Sequence, residues 1–120
     1  MTHNYCILFY ELLREFDLEH KEACLGNAIY CLSDGGTTYT YITKDKLSEM
    51  VCIKSSTFFV ILKKLREQGL VEKEPEGTGW KTTELWNKTY EKYRDKYHPN
   101  GFDDTVDTIG NWYVNDGVAN

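Results

Sequence analysis

The sequence predicts a mainly helical α+β domain with one small β-hairpin. Three observations carry that prediction. Apolar residues recur at helical spacing in five separate stretches; two short β-prone runs flank a turn at residues 75–79 that holds Pro75, Gly77 and Gly79; and Gly69 and the cluster Ser33-Asp34-Gly35-Gly36 punctuate the helical stretches.

Each element has its own local reason. A first helix, from Tyr5 to about Phe16, presents Leu8, Phe9, Leu12, Leu13 and Phe16 on one broad face. A second, from about Glu19 to Leu32, presents Leu25, Ala28, Ile29 and Leu32 at i, i+3, i+4, i+7 and ends at Ser33. Thr37 to Ile42 alternates threonine with tyrosine and suits a short strand joining the hairpin. Thr43 is placed to cap a helix that turns Leu47, Met50 and Val51 inward, with Asp45 in the first turn where the macrodipole favours a negative charge. After a break at Cys52-Ile53-Lys54, a longer helix from about Ser55 to Gln68 buries Phe58, Ile61, Leu62 and Leu65, and Gly69 stops it. Leu70 to Glu74 and Trp80 to Thr83 then read as the strands of the hairpin.

The last helix, Glu84 to Tyr97, carries Trp86, Tyr90, Tyr93 and Tyr97 as an aromatic stripe too large to leave in water. Two readings of the stripe stay open: packing on this chain's own N-terminal helices, or the seam of a two-fold homodimer. His98-Pro99-Asn100-Gly101 breaks the helix. The expected organisation is therefore one domain over residues 1–97 and an acidic, solvated tail over 98–120. That tail also holds Phe102, Trp112 and Tyr113, which suit docking on a partner or on the domain itself.

Length and composition bound the function. The chain has 120 residues, 41% of them hydrophobic, which suits a single domain burying about two thirds of its unfolded surface. No apolar run approaches the ~20 residues of a membrane span, and the N-terminus has neither a basic n-region nor a small-residue cleavage site. A soluble, cytoplasmic protein with no membrane partner is expected. Cys6, Cys24, Cys31 and Cys52 show no CxxC spacing and are expected to be reduced core residues. His3, His20 and His98 lie in no catalytic motif, no phosphate-binding glycine loop follows a strand, and the aspartates of the tail lack the calcium-loop pattern. Neither catalysis nor a metal or other cofactor is expected.

The net charge of −5 is unevenly spread. Residues 1–42 and 98–120 each carry −4, whereas residues 43–74 carry +2 and residues 75–97 carry +1. The acid thus lies outside the helix–turn–helix–hairpin segment, which is mildly basic and compatible with a phosphate backbone.

That segment, TKDKLSEMVCIKSSTFFVILKKLREQGLVEKE followed by WKTTELWNK, resembles the winged helix-turn-helix regulators of bacteria and their phages and plasmids, over about a third of the chain. The resemblance implies a second helix that enters the DNA major groove, closed by LREQGLV, and a hairpin that serves as the wing. It implies contacts from Lys54, Ser55, Ser56, Thr57, Phe59, Val60, Lys63 and Lys64 on that helix. Lys44 and Lys46 at the start of the scaffold helix would contact the backbone, and Lys73, Thr78 and Lys81 would act from the wing. The chain departs from the family pattern in having Lys54 where a capping serine is usual, and Phe59 and Val60 where basic or amide side chains are usual. Those two residues suit thymine methyl groups, or else a protein surface.

The expected function is sequence-specific binding of double-stranded DNA by a regulator of transcription, dimeric and acting by steric occupation of its site. The alternative is a winged-helix module that grips a protein partner, as in a phage-encoded inhibitor or a replication assembly. A replication initiator that does both is a third possibility.

Overall fold

The computed structural model describes residues 7–97. In chain order it contains α1 (Tyr10–Phe16), α2 (His20–Leu32), α3 (Lys44–Val51), α4 (Ser55–Glu67), β1 (Val71–Lys73), β2 (Trp80–Thr82) and α5 (Glu84–Tyr97). The architecture is mainly helical with one two-stranded antiparallel sheet. The compact units of the chain divide inside α5, after Tyr90.

Within residues 7–90 the core is built around α2. Glu19 and Glu22 form a capping box at its start, with the Glu19 amide donating to Glu22 Oε1 at 2.9 Å. The helix packs against α1, α3, α4 and β2. Its buried face is therefore wider than the expected stripe and includes Glu22, Ala23, Gly26, Asn27 and Tyr30 as well as Leu25 and Ile29. Ala28 and Leu32, expected inward, are only half-buried.

The start of α5 closes this core. Trp86, with 0% of its surface exposed, lies over Gly26 and stacks on Phe16 with ring centroids 6.0 Å apart. Tyr90 lies between Phe9 (5.2 Å) and Tyr30 (4.4 Å). Of the two readings of the aromatic stripe, Trp86 and Tyr90 follow the first: intramolecular packing buries both, so neither is free to form a seam with a second copy. In the unit after Tyr90, Tyr93 is half-buried beneath Lys92, and Tyr97 carries Lys96 over its ring at 5.1 Å.

Three expectations are corrected. α1 begins at Tyr10; residues 7–9 are not helical, Phe9 is the extended N-cap, and Tyr5 lies outside the described residues. The segment Thr37–Ile42 is not a strand but a single bridge between Thr40 and Trp80. Its backbone is committed elsewhere: the amides of Thr37 and Thr38 donate to the Ser33 carbonyl, and the Ile42 amide donates to Thr40 Oγ1. Met50, expected in the core, is 52% exposed. The inward side of α3 is Leu47, Ser48 and half-buried Val51, and Ile53 in the following turn completes the apolar surface.

The remaining elements follow their local chemistry. Thr43 Oγ1 accepts from the Lys46 amide at 3.2 Å and caps α3. Cys52, at φ 57°, reverses the chain, and α4 buries Phe58, Ile61, Leu62 and Leu65 as its periodicity predicts. Gly69, at φ +75°, lets the Leu70 amide return to the Leu65 carbonyl. The hairpin pairs Val71 with Thr82, Glu72 with Lys81 and Lys73 with Trp80. The cysteines depart from a uniformly reduced core: Cys24 is a half-buried free thiol, Cys52 an exposed one, and Cys31 is disulfide-bonded. No described helix is long and apolar enough to cross a membrane.

A Cβ added at Gly26 would lie 2.6 Å from Cη2 of Trp86. Gly26→Ala should therefore destabilise the fold by about 1–3 kcal/mol through overpacking. Urea denaturation should show a lowered midpoint at unchanged slope.

Candidate nucleic-acid interface

The inward face of α4 dictates its outward face. With Phe58, Ile61, Leu62 and Leu65 buried, Phe59, Val60 and Lys63 point to solvent, Phe59 and Val60 with 57% and 67% of their surface exposed. Ser55 and Ser56 are exposed at the first turn, Thr57 is half-buried, and Lys54 precedes them with no side-chain cap. Lys46 is exposed on α3.

Beside this face runs a groove of about 630 Å³ between α4, the segment 40–44 and the hairpin. It gathers Lys44, Phe59, Lys63, Lys73 and Thr78 from the sequence-derived set, and adds Arg66, Tyr41 and Trp80. Arg66 was missed, although Phe59, Lys63 and Arg66 fall at i, i+4, i+7 and so share one helix face. Four cations line the groove, and no aspartate or glutamate does. Lys44 Nζ lies 4.9 Å from the centroid of the Phe59 ring, and the Arg66 guanidinium lies 5.9 Å from that of Trp80.

Glu74 fixes the mouth of the hairpin. Its Oε2 accepts from the Tyr41 hydroxyl at 2.8 Å and its Oε1 from the Gly79 amide at 3.3 Å. The bond to Glu74 holds the Tyr41 phenol above its usual pKa.

Two lysines of the expected set are engaged elsewhere. Lys64 turns toward α2 and donates to Glu22 Oε1 at 2.7 Å, with the Glu22 side chain only 10% exposed. That hydrogen bond holds the Lys64 ammonium above its ordinary pKa, so its charge is committed to the fold. Lys81 lies over the Tyr39 ring at 4.7 Å and 3.9 Å from Glu72, outside the groove.

A second arrangement was not anticipated. Cys24 Sγ lies 3.5 Å from His20 Nδ1, one turn away on α2. Burial pushes the thiol pKa up, the opposite of what an activated nucleophile requires. Among the described residues no group of three or more His, Cys, Asp or Glu is gathered to hold a metal ion.

Compared with protein-family models, curated proteins and solved structures, the chain shows no significant match to any.

Glu74→Ala removes both acceptors at the hairpin mouth. The Gly79 amide should then exchange with solvent about tenfold faster, while the amides of α2 are unchanged. NMR hydrogen exchange measures both.

Proposed function

We propose that the chain is a sequence-specific double-stranded DNA-binding protein of the winged helix-turn-helix kind, a regulator that acts by occupying its site. On this reading α4 enters the major groove and the hairpin is the wing. The observation that carries it is the gathering of Lys44, Lys63, Arg66 and Lys73 around a groove with no carboxylate in its lining, in a chain of net charge −5. Cations concentrated against the overall sign mark the surface a polyanion approaches. Exposed Phe59 and Val60 beside them suit thymine methyl groups, which are read by apolar contact.

The same two side chains favour a second reading, in which this face holds a protein partner. Association with DNA separates the two.

Fluorescence anisotropy with a duplex from the gene's own upstream region and a shuffled duplex, titrated at several salt concentrations, tests the proposal. Four phosphate contacts give a log–log salt slope of about −3 to −4. Lys63→Gln should reduce its magnitude by about 1, whereas Lys21→Gln, at an exposed position on α2 outside the groove lining, should leave it unchanged. No binding to either duplex at low salt would overturn the DNA reading and favour the protein partner.

A further inference from the structure

We propose that the groove between α4 and the hairpin is the docking site of this chain's own C-terminal segment, residues 102–116, an acidic and aromatic plug that must leave before DNA can bind. The requirement to leave rests on the DNA-binding reading; the docking itself does not.

The groove and the segment are complementary in two respects. The groove gathers Lys44, Lys63, Arg66 and Lys73 with no carboxylate in its lining. Residues 98–120 carry Asp103, Asp104, Asp107 and Asp116 with no lysine or arginine. Charge alone would suit a phosphate backbone equally well, and the apolar part of the lining decides between them. Leu47, Phe58 and Leu62 are core residues whose surfaces form the floor, while Phe59 and Trp80 contribute aromatic walls. A phosphate backbone has no apolar group to cover such a floor. The segment brings Phe102 directly before its first acids, and Trp112, Tyr113 and Val114 shortly before its last. A stretch that mixes acid with aromatic thus meets a surface that mixes cation with aromatic, where Lys44 lies over Phe59 and Arg66 over Trp80.

Chain length permits the contact from any starting point on the domain. Trp112 lies 15 residues past Tyr97, the end of α5. Fifteen extended residues span up to about 50 Å, whereas a compact unit of 90 residues such as Met1–Tyr90 is about 30 Å across. Held on the same chain, the segment competes at an effective concentration on the order of 1 mM. A contact with a Kd of about 0.1 mM then fills the groove about nine-tenths of the time and raises the apparent Kd for DNA about tenfold. The acids already beside two of the cations, Asp45 at 3.9 Å from Lys44 and Glu67 at 3.9 Å from Lys63, form solvated surface pairs that yield to carboxylates held against an apolar surface. The cations the segment would neutralise are those assigned to phosphates, so segment and duplex cannot bind together.

Heteronuclear NMR on the full chain without DNA tests the docking, comparing wild type with Trp112→Ser and with the triple variant Asp103→Asn, Asp104→Asn, Asp107→Asn. In both variants the Trp80 indole signal and the amides of Phe59 and Arg66 should shift. The indole signal of Trp86, which is fully buried, should stay in place and report an intact fold. Conversely, Arg66→Gln should move the indole signal of Trp112. The shifts should be the same at 20 μM and at 500 μM protein, on the order of the range a same-chain contact must survive. Groove signals unmoved in both variants, or shifts confined to residues outside the groove, would overturn the docking. Shifts that vanish on dilution would overturn it as well, by assigning the groove to a second copy. For the competition, fluorescence anisotropy should show both variants binding the duplex about tenfold more tightly than wild type. Trp112→Ser alters no charge, so a gain confined to the aspartate variant reflects net charge alone and overturns the blocking of DNA. Groove shifts without duplex binding in any variant uphold the docking while overturning both the blocking and the DNA reading.

Discussion

The seating of Trp86 on Gly26 is the constraint on which the rest of the structure depends. Only a residue without a Cβ lets the indole approach the α2 backbone this closely. That approach brings the start of α5 onto the face where Phe16 stacks, and carries Tyr90 between Phe9 and Tyr30. With its opposite sides given to α3, α4 and β2, α2 becomes the axis around which the domain is assembled. A helix used on so many sides has a small amphipathic contrast, which is why its sequence shows a narrower stripe than it buries.

The orientation of α4 follows from that axis. Four apolar side chains fix its inward face, and the Lys64–Glu22 pair, between an otherwise buried carboxylate and a lysine on the flank, fixes its rotation. Burying Glu22 without a cation would be costly, so the pair makes one rotation of α4 much better than its neighbours. Phe59, Lys63 and Arg66 then line the groove together rather than scattering around the helix. Adjacent lysines, Lys63 and Lys64, thus have opposite tasks.

Much of this was legible in the sequence where the determinants are local. The Thr43 cap, the apolar spacing of α4 and the left-handed Gly69 each act within a few residues, and their elements lie where they were expected. What was not legible depends on which of several competing partners, near or far along the chain, a group finally takes. The Thr–Tyr alternation of residues 37–42 looks like a strand until the Ser33 carbonyl takes the amides of Thr37 and Thr38. Met50 looks like core until Ile53 completes that surface from the turn. Lys64 looks like a phosphate contact until Glu22, 42 residues earlier, claims it. The cluster of cations was only partly visible, because Lys44 and Lys73 reach the groove from separate elements.

The hairpin has a further consequence for how the protein keeps its own company. A two-stranded sheet has two outer edges, and the Thr40 bridge covers only the Trp80 end of one. The other edge belongs to β1, which is three residues long and carries the exposed charges Glu72 and Lys73. A strand so short and so charged is a poor template for another chain's backbone. The apolar groove beside it is thereby kept from becoming the start of an intermolecular sheet.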